Sequence, residues 1–506
     1  MEKLKKEFNE LLDFIKTHKT SFILTIFFTF IVYGIKLFNY SLSIDSEVIN
    51  NNYYNEVIFW YMLGRFSLGF IKFLLGLNPF NYYLSNILMI IFFSISSFLL
   101  YYIINSVKKN NNTKFENLKI FLFTSLIISS PVLADQFNFT LQCAEVAISL
   151  FILDIGLYLF IKGIQSNNNF LLFGSVICFI ENIGCYQALL PIIVAVIVEF
   201  LIILNKYSEY TLKQNIAYII KAILVGIFSL IGYYIVNKIV IKAFGLSSTN
   251  YLKDQILWLS HPIKENLINI YSYIKQVILS EYVFYNKLYL VSILLTFILI
   301  IKNYKKVFLN LLNLFLLITP FLLAILLGNG MVVRMQMLLP ILVAIILIFN
   351  IDFKNKYINY IIGFIIIFFI FGQMRTTLNL FESDYARYNQ DKALAENLIN
   401  QISPLITDES ATKLVFIGQR AQSGPSMHVT GETFGISFFC WDFTSPYGIS
   451  NRAIGFINTL GHNFPDITPE DFELGKKIAD EQNLESFPKT NSIYKYNNYI
   501  IIKISD

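Results

Sequence analysis

The chain has 506 residues, of which 55% are hydrophobic and only 14% are charged. Its mean hydropathy of +0.57 excludes an ordinary soluble globule, whose surface could not carry so much apolar area. The net charge of +5 indicates no nucleic-acid partner, because the lysines gather in short loops between apolar runs, where they set membrane orientation. The composition therefore predicts a protein embedded in the lipid bilayer, and transport and membrane-bound catalysis stay open.

Apolar runs of about twenty residues, each long enough to cross a hydrocarbon core of ~30 Å as a helix, recur along the chain. We predict a polytopic α-helical protein with about 11 transmembrane helices, the first at 22–40 and the last at 357–373. Lysines in alternate loops place the N-terminus in the cytoplasm and the C-terminus outside. Segment 58–77 is aromatic but carries Arg65 and Lys72, so we expect an amphipathic helix in the outer interface there.

From residue 375 the composition turns soluble. A helix at 384–403 and a helix start at 468–471 are predicted, together with strands at 413–417, 436–441 and within 494–504. We therefore predict two domains: a transmembrane domain at 1–374, with outer loops 41–81 and 245–287, and a small extracytoplasmic α/β domain at 375–506. The asparagine-rich patches, such as 50–52, are interpreted as loop filler.

Two carboxylates follow the first span within a few residues. Asp45 and Glu47 point to one side of an extended loop, whereas a helical turn would spread them by about 200°. A carboxylate at the bilayer edge can accept a proton from a hydroxyl or hold a divalent cation beside a phosphate, and a hydrated acidic loop is the alternative. Asp135, in the next short outer loop, is either a second acid of this site or an N-cap for the helix starting near Thr140.

Two arginines are expected at the outer headgroup level. Arg334 closes the short glycine turn 328–334, and Arg65 lies on the interfacial segment. A guanidinium there binds a lipid phosphate bidentately or snorkels to the interface. Within the spans, Asp154 and Glu199 would either form interhelical hydrogen bonds or serve a transporter.

Four short features together resemble a known family. They are the acidic run 43–47 after the first span, the segment 63–66, the pair Tyr186 and Gln187 near an outer helix end, and Arg334 before a late span. In this layout the chain resembles the Gtr-type glucosyltransferases, the serotype-converting enzymes of O-antigen. It is also similar in layout to the GT-C class of polyprenyl-phosphate-sugar transferases.

The resemblance implies a polyprenyl-phosphate-sugar donor, such as the glucose derivative, and a glycan acceptor such as the O-antigen of lipopolysaccharide. Transfer would occur at the outer face of a bacterial cytoplasmic membrane and would invert the anomeric centre. Asp45 would be the general base with Glu47 assisting, and Asp135 would add a third acid. Arg334 with Arg65 would bind the donor phosphate. Tyr186 and Gln187 would contact substrate. By position, Glu181 near an outer helix end and Trp258 in the loop 245–287 are further candidate substrate contacts, and the headgroup belt is the alternative for Trp258.

The sequence leaves open whether a divalent cation is needed and whether the protein is a transporter instead of a glycosyltransferase. A phosphate donor requires no metal, whereas a pyrophosphate donor leaves room for a divalent cation. A flippase or transporter of lipid-linked sugars, using Asp154 and Glu199, is the alternative from another class, and a glycan polymerase is the nearer one. A transporter usually has related halves, and the sequence has no such repeat.

Overall fold

A computed structural model describes residues 2–108, 115–207, 210–247, 254–350, 356–421, 423–425, 431–442 and 446–505. At residues 2–8, 356–359 and 446 it describes the backbone alone. Part of the predicted outer loop 245–287, at 248–253, lies outside the described residues.

The chain folds into two compact units. Unit 1 comprises Met1–Phe38, Val57–Phe137 and Gln142–Thr377, and unit 2 comprises Asn39–Glu56, Asn138–Leu141 and Leu378–Asp506. Unit 2 thus combines the loop after the first predicted span with the C-terminal part of the chain. The assignment of 1–374 to the membrane and of 375–506 to the outer face stays a prediction.

Helices dominate the first three quarters of the chain. In chain order they are α1 (Glu2–Thr17), α2 (Lys19–Tyr33), α3 (Ile35–Phe38), α4 (Ser46–Asn51), α5 (Tyr53–Met62), α6 (Phe66–Leu74), α7 (Tyr82–Asn105), α8 (Glu116–Ile128), α9 (Pro131–Asn138), α10 (Cys143–Gln165), α11 (Asn169–Cys185), α12 (Leu190–Tyr207), α13 (Leu212–Ala243), α14 (Ile263–Leu279), α15 (Leu288–Lys302), α16 (Val307–Ile318), α17 (Leu322–Leu327) and α18 (Leu338–Ile345). Short 3-10 turns join several of them, including Gln187–Leu189 and Val333–Met335.

Six helical stretches within the described residues are long and apolar enough to cross a membrane, or eight if each of two bent pairs forms one span. Three further apolar helices, at Asn169–Cys185, Leu288–Lys302 and Leu338–Asn350, have fewer than 18 residues. Each predicted span overlaps one of these helices, but because three of them fall short of that length, a count of eleven spans is not confirmed. The chain is a mostly helical polytopic membrane protein.

The segment predicted as one interfacial helix at 58–77 is two helices. The break falls at Gly64, whose φ of +75° lies in the left-handed region that favours glycine. A Cβ at this position would lie 2.4 Å from the hydroxyl of Tyr233, so the close approach of α13 also requires a glycine. On α6, Lys72 is fully buried and forms a 2.8 Å ion pair with Glu145 of α10. The lysine therefore faces protein and not the lipid headgroups.

Unit 2 contains a three-stranded sheet of β1 (Lys413–Ile417), β2 (Ile493–Tyr496) and β3 (Tyr499–Lys503). The strand order is β1-β3-β2, with β1 parallel and β2 antiparallel to β3. The predicted strand at 413–417 is confirmed. The alternating stretch 494–504 is a hairpin that turns at Asn497 and Asn498, where the left-handed φ of +54° at Asn497 suits a two-residue turn.

Three helices complete unit 2: the end of α19 (Lys356–Ile402), α20 (Pro446–Thr459) and α21 (Pro469–Glu481). The predicted helix at 384–403 is the last part of α19. The predicted start at 468–471 is confirmed, because Thr468 and Asp471 form a capping box at the first turn of α21.

The predicted strand at 436–441 is wrong. This stretch contains a turn, and its burial does not alternate as along a strand, because the adjacent residues Phe438 and Phe439 are both fully buried. The ring of Phe438 stacks on Phe456 of α20 with centroids 4.6 Å apart. The Ser437 hydroxyl and the Phe438 amide both donate hydrogen bonds to Asp391, so the backbone is held by a side chain and not by a neighbouring strand.

A buried ion-pair network around Arg387 organises unit 2. The guanidinium is completely buried and pairs with Asp384 at 2.8 Å and with Asp391 at 3.4 Å on the same helix. It also donates a 2.6 Å hydrogen bond to the carbonyl of Leu42, and Asp384 accepts a 2.9 Å bond from Ser41. Asp384 and Arg387 thereby fasten the loop that begins at Asn39 to the last part of α19.

We expect Arg387→Met to destabilise unit 2 severely, because it leaves Asp384 and Asp391 buried without a counter-charge. Removing one partner of a buried ion pair costs about 3–5 kcal/mol in the free energy of unfolding. Pulse proteolysis of the detergent-solubilised protein measures this loss. The control is Lys489→Met, which breaks an exposed pair with Glu485 and should cost below about 1 kcal/mol. Equal losses in the two variants would contradict a central role for Arg387.

Candidate functional site

Arg452 of α20 joins the two acids of the first loop. Its Nη2 lies 2.7 Å from a carboxylate oxygen of Asp45, and its Nη1 lies 2.5 Å from Oε1 of Glu47. The Glu47 side chain is 2% exposed, whereas that of Asp45 is 30% exposed. Asp45 has a left-handed φ of +64° and directly precedes α4, so the two acids meet one guanidinium across the start of a helix.

The pattern of α20 explains how Arg452 reaches these acids. A polar, glycine-containing face recurs every three or four residues, at Gly448, Asn451, Arg452, Gly455 and Asn458. The opposite face is buried and apolar, with Ile449, Ala453, Ile454, Phe456 and Ile457. Burial of the apolar face in the core therefore directs the polar face toward α4.

Gly455 permits the close approach of the two helices. A Cβ at this position would lie 3.1 Å from Cγ of Glu47, tighter than ordinary van der Waals contact. The Asn51 amide donates a 2.8 Å hydrogen bond to the Gly455 carbonyl. The asparagine patch 50–52 is therefore not loop filler, since Asn51 fastens α4 to α20.

Beside the ion pair lies a cleft of about 560 Å³ formed within unit 2, which we call the unit 2 cleft. Its polar lining comprises Glu47, Asp442, Asp466, Arg452, Asn51, Asn52, Asn55, Asn451 and Asn458, and its aromatic lining comprises Tyr447 and Phe464. Asp45 contacts Arg452 but is not among the lining residues. Of the two acids, Glu47 therefore faces the cleft.

Two of the lining amides hold one wall in place. Asn451 donates to the carbonyl of Ile467 and accepts from its amide, at 3.1 and 2.9 Å. Asn458 makes the same pair of bonds with Phe464, at 2.8 and 2.9 Å. The backbone of 464–467 is thus bound to α20 much as a strand is bound to its neighbour, which fixes the position of Asp466.

Glu47 has the electrostatics of a proton acceptor. The pKa of Glu47 is raised to about 7, because burial and the negative charge of Asp45 together outweigh the opposing effect of Arg452. Its Oε2 has no hydrogen-bond partner among the described residues. A carboxylate with a pKa near neutrality can both take up and release a proton at physiological pH.

Unit 1 brings together three of the predicted binding residues. The guanidinium of Arg65 lies over the ring of Tyr186 with 5.5 Å to the centroid, and Nε of Arg65 has no partner among the described residues. The next residue, Gln187, lies 3.5 Å from the hydroxyl of Tyr233 on α13. Arg65, Tyr186 and Gln187 therefore form one polar cluster where α11 ends and α12 begins.

An apolar groove of about 500 Å³ runs along α11, α12 and α13 next to this cluster. Ile183, Leu190 and Leu230 line it. Each of these residues is three positions from Tyr186, Gln187 or Tyr233, which is about one helical turn. The groove therefore comes within about one helical turn of the cluster that contains Arg65.

Trp258 and Arg334 lie at the glycine turn that follows α17. The indole N–H of Trp258 donates a 2.8 Å hydrogen bond to the Ile325 carbonyl, and its ring lies 3.1 Å from where a Cβ of Gly328 would be. Gly328 has a φ of +77°, as this turn requires. Arg334 follows in the 3-10 turn Val333–Met335 and is half-buried. The structure thus packs Trp258 on the backbone of the turn.

The remaining acids have structural surroundings. Asp135 is fully buried in the middle of α9, so it lies in a helix instead of the predicted short loop, and it does not cap the helix near Thr140. Glu181 accepts hydrogen bonds from Ser149 and Asn182. Asp154 accepts a 2.6 Å bond from Ser96, and Glu199 accepts a 2.9 Å bond from Asn350.

No group of three or more His, Cys, Asp or Glu side chains is arranged to hold a metal ion in the part of the chain that the structure describes.

Comparison with known families shows to which protein family the chain belongs. Residues 34–351 match the sequence profile of the family described as glucosyl transferase GtrII, which covers more than half of the chain. The chain belongs to this family. The predicted likeness to Gtr-type glucosyltransferases is therefore confirmed, and family membership implies a glycosyltransferase with a sugar donor and a glycan acceptor. No curated protein and no solved structure gives a significant match.

The matched region of this GtrII-family protein contains every predicted site residue, from Asp45 to Arg334. Four of the residues that sequence reasoning missed lie beyond it, Arg452, Asp442, Tyr447 and Asp466, whereas Asn51 lies within it. The signal for Arg452 was the polar face of 446–459, which is regular but is recognisable only once the segment is known to be a helix.

The raised pKa of Glu47 has a measurable effect on stability. Between about pH 4.5 and 7 the folded state of the GtrII-family protein holds a proton on Glu47 that the unfolded state has released, so raising the pH lowers the free energy of unfolding. Glu47→Gln removes this dependence. We expect the thermal midpoint of Glu47→Gln minus that of the unaltered protein to increase over this window and then level off. A pH-independent difference would contradict the raised pKa.

Proposed function

We propose that this protein transfers glucose from a polyprenyl-phosphate donor to a cell-surface or lipid-linked glycan such as O-antigen. The reaction takes place at the outer face of the bacterial cytoplasmic membrane, with the N-terminus inside and residues 375–506 outside. The observation that carries the proposal is the environment of Glu47. Glu47 lines a polar cleft, is anchored by Arg452, and has a pKa near 7 and an oxygen without a partner among the described residues.

In the proposed reaction an acceptor hydroxyl donates a hydrogen bond to Oε2 of Glu47. The hydroxyl oxygen attacks the anomeric carbon of the donor sugar while its proton passes to Glu47. The bond from that carbon to the phosphate oxygen breaks, and the electron pair leaves with the polyprenyl phosphate. The attack comes from the side opposite the leaving group, so the anomeric configuration inverts. Phosphate is a good leaving group and requires no acid.

The two acids exchange the roles that the sequence alone assigns to them. Asp45 was expected to be the base, but Glu47 is the acid that lines the unit 2 cleft. Asp45 shares the charge of Arg452 with Glu47 and helps to raise the pKa of Glu47. We therefore assign the base to Glu47 and a positioning role to Asp45. Asp135 is assigned no role in this mechanism.

The donor assignment is supported by the cluster and groove of unit 1. A polyprenyl phosphate has one anionic head and a long apolar chain. The groove along α11, α12 and α13 is almost wholly apolar, and Arg65 with its unpartnered Nε lies about one turn beyond the groove. A guanidinium binds phosphate through directed N–H groups, which suits Arg65 for the head. Arg334 remains the second proposed phosphate ligand.

The transporter alternative is weakened by the surroundings of its acids. A proton-coupled carrier would need Asp154 and Glu199 to change partners during transport. In this structure Ser96 and Asn350 hold them with hydrogen bonds between helices, which is the common structural role of buried acids in membrane proteins.

We expect Glu47→Gln to lower the rate of glucose transfer by about 10²–10⁴-fold, since the amide cannot accept the proton. Asp45→Asn should retain more activity and shift the acid limb of the pH profile to lower pH, because Asp45 raises the pKa of Glu47. The assay is transfer from labelled polyprenyl-phosphate-glucose by purified protein in nanodiscs. The exposed Glu485→Gln is the control. Normal transfer by Glu47→Gln with an inactive Asp45→Asn would assign the base to Asp45 instead.

The proposed donor site predicts a change in donor requirement. Arg65→Gln and Arg334→Ala should each raise the apparent KM for the polyprenyl-phosphate donor by about 10-fold or more, through loss of a charge-assisted bond worth about 1.5–3 kcal/mol. The exposed Arg375→Ala should change it little. An unchanged KM in both variants would place the donor phosphate elsewhere.

A further inference from the structure

We propose that the unit 2 cleft binds an uncharged segment of the acceptor glycan and excludes anionic sugars. The inference deepens the proposed function, on which it rests for taking the ligand as the acceptor. Half of the cleft comes from α20 and the loop after it, which lie outside the region matched to the family.

The cleft offers polar groups that its own fold leaves available. The side chain of Asn55 makes no hydrogen bond within the described residues. The side chain of Asn52 uses only its oxygen, which accepts a hydrogen bond from the backbone N–H of Asn55. Asn51 donates through its nitrogen to Gly455, which leaves its oxygen available. The free nitrogens and oxygens of these three amides supply both donors and acceptors, as recognition of sugar hydroxyls requires.

An aromatic ring lies beside these amides. Tyr447 lines the cleft and is 37% exposed, whereas Phe464, the other aromatic lining residue, is 3% exposed. An exposed ring next to amides and carboxylates suits a ligand that has an apolar face and a rim of hydroxyls, which is the chemistry of a pyranose ring. The cleft volume of about 560 Å³ falls within the range of small-molecule sites, roughly 300–1,000 Å³.

The charge of the cleft determines which sugars can enter. Three acids line it, Glu47, Asp442 and Asp466, and Arg452 is the one basic residue among the described lining residues. Both Nη atoms of Arg452 already bind Asp45 and Glu47. A uronate or a phosphorylated sugar would therefore meet net negative charge without a guanidinium to pair with, whereas an uncharged sugar would not.

The test is binding of trisaccharides to the full chain in nanodiscs by calorimetry, without donor. Maltotriose, mannotriose and chitotriose are the uncharged probes, and trigalacturonate is the anionic probe. We expect at least one uncharged probe to bind about tenfold or more tightly than trigalacturonate at low salt. Failure of all three uncharged probes to bind, or equal binding of trigalacturonate, would overturn the inference.

Variants locate the binding. Tyr447→Ala should weaken the bound uncharged probe by about three- to tenfold, and Tyr447→Phe, which keeps the ring, should not. Asp466→Asn should leave the uncharged probe unchanged and strengthen trigalacturonate severalfold. Thermal midpoints check that each variant folds. If Tyr447→Ala leaves binding of the uncharged probe unchanged and Asp466→Asn leaves binding of trigalacturonate unchanged, the probes bind outside the cleft and the inference fails.

Failure of this inference is distinct from failure of the proposed function. If selective binding is found but polyprenyl-phosphate-glucose is not consumed, the cleft assignment stands and the proposed donor reaction fails. If transfer proceeds while Tyr447→Ala leaves the acceptor KM unchanged, the proposed function stands and the cleft is not the acceptor site.

Discussion

The buried guanidinium of Arg387 is the interaction on which unit 2 depends. It neutralises Asp384 and Asp391, and these acids in turn bind Ser41, Ser437 and backbone amides of the 435–438 turn. Removing one partner would leave another charge buried without a counter-charge, so each member of the network supports the others. The first loop is thereby fixed at Leu42, three residues before Asp45. The geometry of Asp45, Glu47 and Arg452 follows from a contact made outside the site.

Local signals predicted the fold wherever structure is determined locally. The capping box at Thr468, the strand at 413–417 and the apolar helices follow from neighbouring residues alone. The prediction of a strand at 436–441 failed because a run of hydrophobic residues does not distinguish a strand from a buried turn. Here Asp391 of a distant helix holds the backbone of the turn. Asp135 was misplaced because α8 bends into a further helix, α9, where the end of a span was expected.

The candidate site was less predictable than the fold, because it depends on contacts between distant parts of the chain. Sequence reasoning found Asp45 and Glu47 from their position after a span and favoured Asp45, but it could not foresee the cleft that Glu47 lines, which is built with residues about 400 positions away. Arg452 was missed for the same reason: nothing local to α20 indicates that its polar face meets α4. Arg65 was found from its position on the interfacial segment and Tyr186 from the resemblance to the family, whereas their contact is a property of the helix packing.

The two faces of α20 separate the residues that hold unit 2 together from those that only line the cleft. Its apolar face is committed to the core, and Asn451 and Asn458 are committed to the backbone of 464–467. Tyr447 and Asp466, by contrast, carry no comparable structural duty, so changes there should alter stability by only about 0.5 kcal/mol. Under the proposed function, a lineage of related enzymes can thus acquire new sugar preferences through a few substitutions while Glu47 and Arg452 stay in place.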